Sequence, residues 1–119
     1  MPSIGTCFQV IPEECNHFWI VISKIIDDRV LVVNITKSFK CPDSPCHFAV
    51  REHPTITEPS AVFYRKARTF SATKVDAQLA DGQLVRRLED YPQELVKRII
   101  DGAQTAECGL TLKFLKYLE

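Results

Sequence analysis

Two apolar runs held apart by a pair of aspartates constrain this chain more than any other feature. Residues 17–24 read HFWIVISK and residues 29–36 read RVLVVNIT, with Asp27-Asp28 between them. Both runs are bulky, β-branched and aromatic, which suits strands. Two aspartates tolerate the tight backbone of a short reversal, so the pair predicts an antiparallel hairpin. Neither run approaches the length of a bilayer-crossing helix, since the longest unbroken apolar stretch is Phe18 to Ile22. The hairpin therefore predicts a β-rich globule with no membrane partner.

The flanking chain extends that reading. Residues 4–10 predict a short first strand, residues 47–51 a fourth and residues 61–68 a fifth. Residues 37–45 and 52–60 are proline-marked loops. Beyond residue 70 the period changes. Thr73-Lys-Val-Asp76 resembles a capping box, so a helix is expected over 74–80, ending near Asp81-Gly82. A further strand is expected over 83–88. A second helix is expected over 91–105, with Pro92 in its first turn and Leu95, Val96, Ile99, Ile100 and Ala103 on one stripe. A third is expected over 110–118. The sum is an α+β chain of one domain, residues 1–119: a small antiparallel β-barrel (about 3–70 and 83–88) with helices packed at its C-terminal side.

Charge and cysteine content narrow the function classes. Fifteen basic and fifteen acidic residues cancel, so no whole-molecule field drives tight, non-specific nucleic-acid binding. The N-terminus carries no signal pattern, and five cysteines are an odd number without secretory context, so reduced thiols in a cytoplasm are expected. Phosphate-loop, dinucleotide and serine-hydrolase signatures are absent from the sequence. Cys41, Cys46 and His47 have the thiol and imidazole for zinc at an acceptable spacing, but no second tight pair completes the set. A disulfide-free, metal-free loop is the plainer reading.

The polar ends of the apolar runs carry the chemistry. HFWIVIS from His17, VLVVNITK ending at Lys37, the Glu52-His53-Pro54 loop and PSAVFYRKA from Pro59 together resemble the PemK/MazF-like toxin superfamily over roughly residues 15–70. The resemblance implies an SH3-like barrel and a metal-independent endoribonuclease acting on single-stranded RNA. It also implies a homodimer, a cognate antitoxin protein and no cofactor. Trp19 to Ser23 match the family's second strand, Thr36 its threonine, and Ser60-Ala-Val-Phe a later strand, while His17-Phe18 stand where the family has Arg-Pro.

Cleavage without metal needs a base for the 2′-hydroxyl, an acid for the leaving oxygen and donors for the phosphorane. His17 and His53 suit the acid and base roles, and Thr36 a donor role. Lys37, Ser38, Tyr64 and Arg65 are candidates for holding RNA. Each has a plainer reading too. His17 reads equally as a strand-edge histidine, His53 as a loop pin and Thr36 as an ordinary strand former. Phe63 and Tyr64 alternate, so one of them faces the core. Trp19 reads as core rather than a stacking platform. Loss of the family arginine also fits an alternative function: a non-catalytic barrel that serves as an interaction module.

Overall fold

The structure, a computed structural model, describes residues 1–11, 18–105 and 108–118. Six strands form one antiparallel sheet in the order β4-β5-β3-β2-β1-β6. They are β1 (Cys7–Val10), β2 (Phe18–Val21), β3 (Arg29–Lys37), β4 (His47–Phe48), β5 (Ser60–Ser71) and β6 (Val85–Leu88). β4 and β6 are the two edges, and no ladder joins them among the described residues, so the sheet is open. Helices α1 (Ala72–Asp81) and α2 (Gln93–Ala103) and a 3₁₀ segment (Leu112–Leu118) complete the α+β architecture. Among the described residues no helix is long and apolar enough to cross a membrane.

The hairpin forms as its turn chemistry requires. Asp27 and Asp28 both take positive φ, 49° and 60°, and Ile26 bridges Arg29 across them. That left-handed pair matches the twist of the strands it joins. Alternation then sends side chains to two cores. Cys7, Ile20, Leu31, Val33 and Ile35 pack with α2 and the 3₁₀ segment. Phe8, Trp19, Val21, Val30 and Val32 pack with Ala72 and Val75 of α1. Both faces of the sheet are thus covered.

β5 serves both cores because its pairing with β3 slips. Val32 pairs with Arg68 but Asn34 pairs with Phe63, so residues 64–67 all oppose Val33. The excess residues form a bulge that bends the strand and inverts its alternation. Val62 and Tyr64 face the α2 core, whereas Phe70, also even-numbered, packs in the α1 core.

Several boundaries differ from expectation for local reasons. α1 starts at Ala72, two residues early, because Ser71 is its cap and accepts from the Lys74 N–H at 3.2 Å. Gly82 closes it at φ 76°, the left-handed conformation that costs glycine least. β4 stops at Phe48 because the Ala49 N–H donates to Glu52 Oε2 at 2.7 Å and Arg51 takes φ 73°. α2 is shorter than the expected 91–105, with Pro92 as N-cap rather than in the first turn, and it buries Leu95, Val96, Ile99 and Ala103 of its stripe while Ile100 is half-buried. Burying Ile99 completely stabilises the fold by about 1.5–3 kcal/mol. The last segment is 3₁₀ rather than α, and it buries Tyr117.

Candidate functional site

A groove opens beside the C-terminal end of β3. Phe18 pairs with Ile35, after which Thr36 and Lys37 pair only with Ala61 and Ser60 of β5 among the described strands. The groove has a volume of about 700 Å³. Phe18, Ile35 and Leu88 give it an apolar floor, Thr36, Lys37, Lys40 and Ser60 one polar wall, and the 54–58 loop another. Gln9 and Glu89 close the far side.

The loop wall is anchored from behind. Ile56 is buried at its centre, and the Ile56 N–H donates to the His53 carbonyl at 2.9 Å. His53 itself is buried and bonded at both ring nitrogens. Its Nε2 lies 2.9 Å from the Asp90 carbonyl, which accepts only, so Nε2 carries the proton. Nδ1 then accepts from the Thr55 N–H at 3.2 Å and from Thr55 Oγ1 at 2.8 Å. Tyr91 completes the chain, with its hydroxyl 2.7 Å from Thr55 Oγ1 and its ring stacked on His53 at 3.8 Å. Burial pushes the Tyr91 hydroxyl well above its ordinary range, which keeps it protonated as a donor. In this arrangement neither His53 nitrogen is free to exchange a proton with a ligand.

The candidate residues therefore divide. Thr36 and Lys37 line the groove, and His53 stands directly behind its Pro54-Thr55 wall. Lys37 Nζ lies 3.6 Å from Glu58 across the opening. That pair is half exposed and stabilises by about 0–1 kcal/mol, so an incoming phosphate can displace the carboxylate cheaply. His17 lies outside the described residues, immediately before Phe18 of the groove floor. Ser38 faces away, its Oγ 3.0 Å from His47 Nδ1, where it ties the 3₁₀ turn (Ser38–Lys40) to β4.

Tyr64 requires a correction. Expected to donate to RNA, it is a core residue with 1 % exposure, and its hydroxyl donates to the Ile99 carbonyl at 2.6 Å. Arg65 lines a separate recess of about 270 Å³ with Cys41 and Cys108 rather than the groove. Lys40, Glu58 and Glu89 line the groove although the sequence did not single them out, and only Lys40 had a local signal. Its spacing of three from Lys37 is the signal, since a 3₁₀ turn puts such residues on one side.

The described thiols do not converge on a metal. Among the described residues no group of three or more His, Cys, Asp or Glu side chains does so. Cys41 and Cys46 are both free, and burial pushes the Cys46 thiol up to about 11. Cys41 is raised by the same cause, so neither is a ready thiolate ligand.

Asn34, two residues before Thr36, is the costliest polar group near the site. It pairs across the sheet with Trp19. Its carboxamide and the Trp19 indole N–H are buried without hydrogen-bond partners among the described residues. Such orphans are rare in a sheet interior and each costs about 1–3 kcal/mol.

The groove offers two cations, several hydroxyls, two carboxylates and an apolar floor within reach of one another. No family model, curated protein or solved structure gives a significant match to this chain.

Proposed function

We propose that this chain is a PemK/MazF-like protein, with its open sheet a variant of the SH3-like barrel, and that it acts on single-stranded RNA at the groove beside Thr36. In this reading it is a cytoplasmic, metal-independent endoribonuclease, the toxin of a toxin–antitoxin-type pair, and a homodimer. One observation carries the reading. Segments of the resemblance far apart in sequence, at Phe18, Thr36-Lys37, Pro54 and Ser60, line a single groove.

The chemistry follows from what lines that groove. A base takes the 2′-hydroxyl proton, the oxygen attacks phosphorus, and an acid protonates the departing 5′-oxygen. Thr36 donates a hydrogen bond to the phosphorane oxygens, and Lys37 and Lys40 supply positive charge. With His53 bonded at both nitrogens, His17 and the groove carboxylates Glu58 and Glu89 are the groups that move protons.

A second reading, an RNA- or protein-binding module without cleavage, is favoured by that same engagement of His53 and by the Lys37–Glu58 pair. Incubating the protein with a long unstructured RNA in chelator, beside His17→Ala and Thr36→Ala, separates the two. Cleavage that survives chelator and falls about 10²–10⁴-fold in His17→Ala supports the nuclease. RNA that is bound but intact in every lane supports the module. RNA neither bound nor cut overturns the nuclease and any RNA-binding module.

A further inference from the structure

A second groove lies on the opposite core, beside α1. It shares no lining residue with the first and measures about 550 Å³. Phe70, Val75 and Val85 give it an apolar floor, and Leu84 stands at its rim with 52 % exposure. Arg29, Arg68 and Lys74 also line it, and none of its described lining residues is acidic.

The two arginines are held in place. Arg29 Nη2 donates to the Thr69 carbonyl at 2.8 Å and to Thr69 Oγ1 at 3.0 Å. The Arg68 guanidinium sits 4.6 Å from the Phe70 ring centroid and 5.8 Å from that of Trp19. Among the described residues none of the three has a carboxylate within ion-pair distance. The neighbouring Asp28 is engaged elsewhere. Its carboxylate accepts from Ser71 Oγ at 2.6 Å and from Thr73 Oγ1 and N at 2.7 and 3.0 Å, at the start of α1.

Arg29, Arg68 and Lys74 bring three positive charges and no carboxylate to the lining of one apolar groove, where they repel one another, in a chain whose fifteen basic and fifteen acidic residues cancel overall. A ligand that brings negative charge relieves this. Base stacking is blocked, because the Phe70 ring is already occupied by Arg68 and by edge contacts to Phe8 and Trp19, each at 5.7 Å. The floor otherwise offers aliphatic side chains. Carboxylates over the rim and aliphatic groups on the floor are what this pattern fits.

We propose that the α1 groove docks an acidic, amphipathic segment of a partner protein. The proposal is independent of what the Thr36 groove does. It is tested by fluorescence anisotropy with the full chain and a labelled synthetic peptide of alternating glutamate and leucine, with a glutamine-for-glutamate peptide and labelled polyuridine as comparisons. The glutamate peptide is expected to bind, and to bind more weakly as salt rises from 0.1 to 1 M, where the Debye length shrinks from about 10 to about 3 Å. Combined Arg68→Gln and Lys74→Glu should weaken it about tenfold or more. Lys74→Glu and Leu84→Ser, both at exposed positions, should each weaken it alone, whereas Thr36→Ala should not. Equal binding of the glutamine peptide, no binding of the glutamate peptide, or unchanged affinity in Lys74→Glu with circular dichroism intact overturns the proposal. Polyuridine that binds and is lost in Lys74→Glu also overturns it, in favour of nucleic acid.

Discussion

Replacing His53 with alanine distinguishes a structural histidine from a catalytic one. The change removes the donor to Asp90 O at 2.9 Å and the acceptor for the Thr55 N–H at 3.2 Å, and it removes a ring stacked on Tyr91 at 3.8 Å. Each orphaned backbone group costs about 1–3 kcal/mol when dry, and the stack about 0.5–1.5 kcal/mol. The groove beside Thr55 admits water to some of these groups, so the net loss should be about 2–4 kcal/mol. For a chain of this length that lowers Tm by roughly 10 °C. Trp19, the sole tryptophan and 5 % exposed, reports the transition in a urea titration by its fluorescence. His53→Gln, whose carboxamide retains a donor for Asp90 O, should recover part of the loss. On the nuclease reading proposed above, RNA cleavage measured well below both transitions should then remain in His53→Ala. A variant as stable as the parent, with cleavage abolished, would refute the structural assignment and return His53 to the reaction.

Two further perturbations probe the frame around the grooves. Hydrogen bonds from the Ser71 hydroxyl, then from the Thr73 hydroxyl and N–H, hold the Asp28 carboxyl below the ordinary carboxylate range. A depressed folded-state pKa contributes stability that is present above the unfolded value of about 3.9 and disappears as pH falls through the folded value. Acid titration followed by circular dichroism should therefore show a shallower acid limb in Asp28→Asn, and an unchanged limb would be the wrong result. Gly102→Ala places a methyl on the Tyr64 hydroxyl, so the gain of about 1 kcal/mol in helix propensity should be outweighed by about 1–3 kcal/mol of overpacking. Tyr64→Phe should itself cost about 1 kcal/mol and reduce the penalty at Gly102, a coupling that strict additivity in a double-mutant cycle would disprove.

Local chemistry made much of the fold legible. The Asp27-Asp28 turn and the α2 stripe depend on near neighbours, and both formed where the pattern placed them. The open sheet was not legible, because closure depends on how far β5 bends at residues 64–67, and composition does not set the size of a bulge. Thr36 and Lys37 were readable as site candidates because they end a strand, and strand ends border grooves. The state of His53 was hidden, since Asp90 and Tyr91 reach it from 37 and 38 residues away. Alternation required that Phe63 or Tyr64 face inward but left the choice to tertiary packing, which took Tyr64 and left Phe63 half-buried.

The slip in β5 also sets which changes of chain length this protein can survive. Residues 64–67 stand opposite Val33 alone, so the surplus is odd and even-numbered side chains before and after the bulge face different cores. Removing one residue from 65–67 would make the surplus even and turn Phe70 out of the α1 core, with Arg68 leaving the rim of its groove. Removing two would preserve the parity and both cores, with a tighter bend. Length variation among natural or engineered versions of this chain should therefore occur here in steps of two, and single-residue indels should be eliminated.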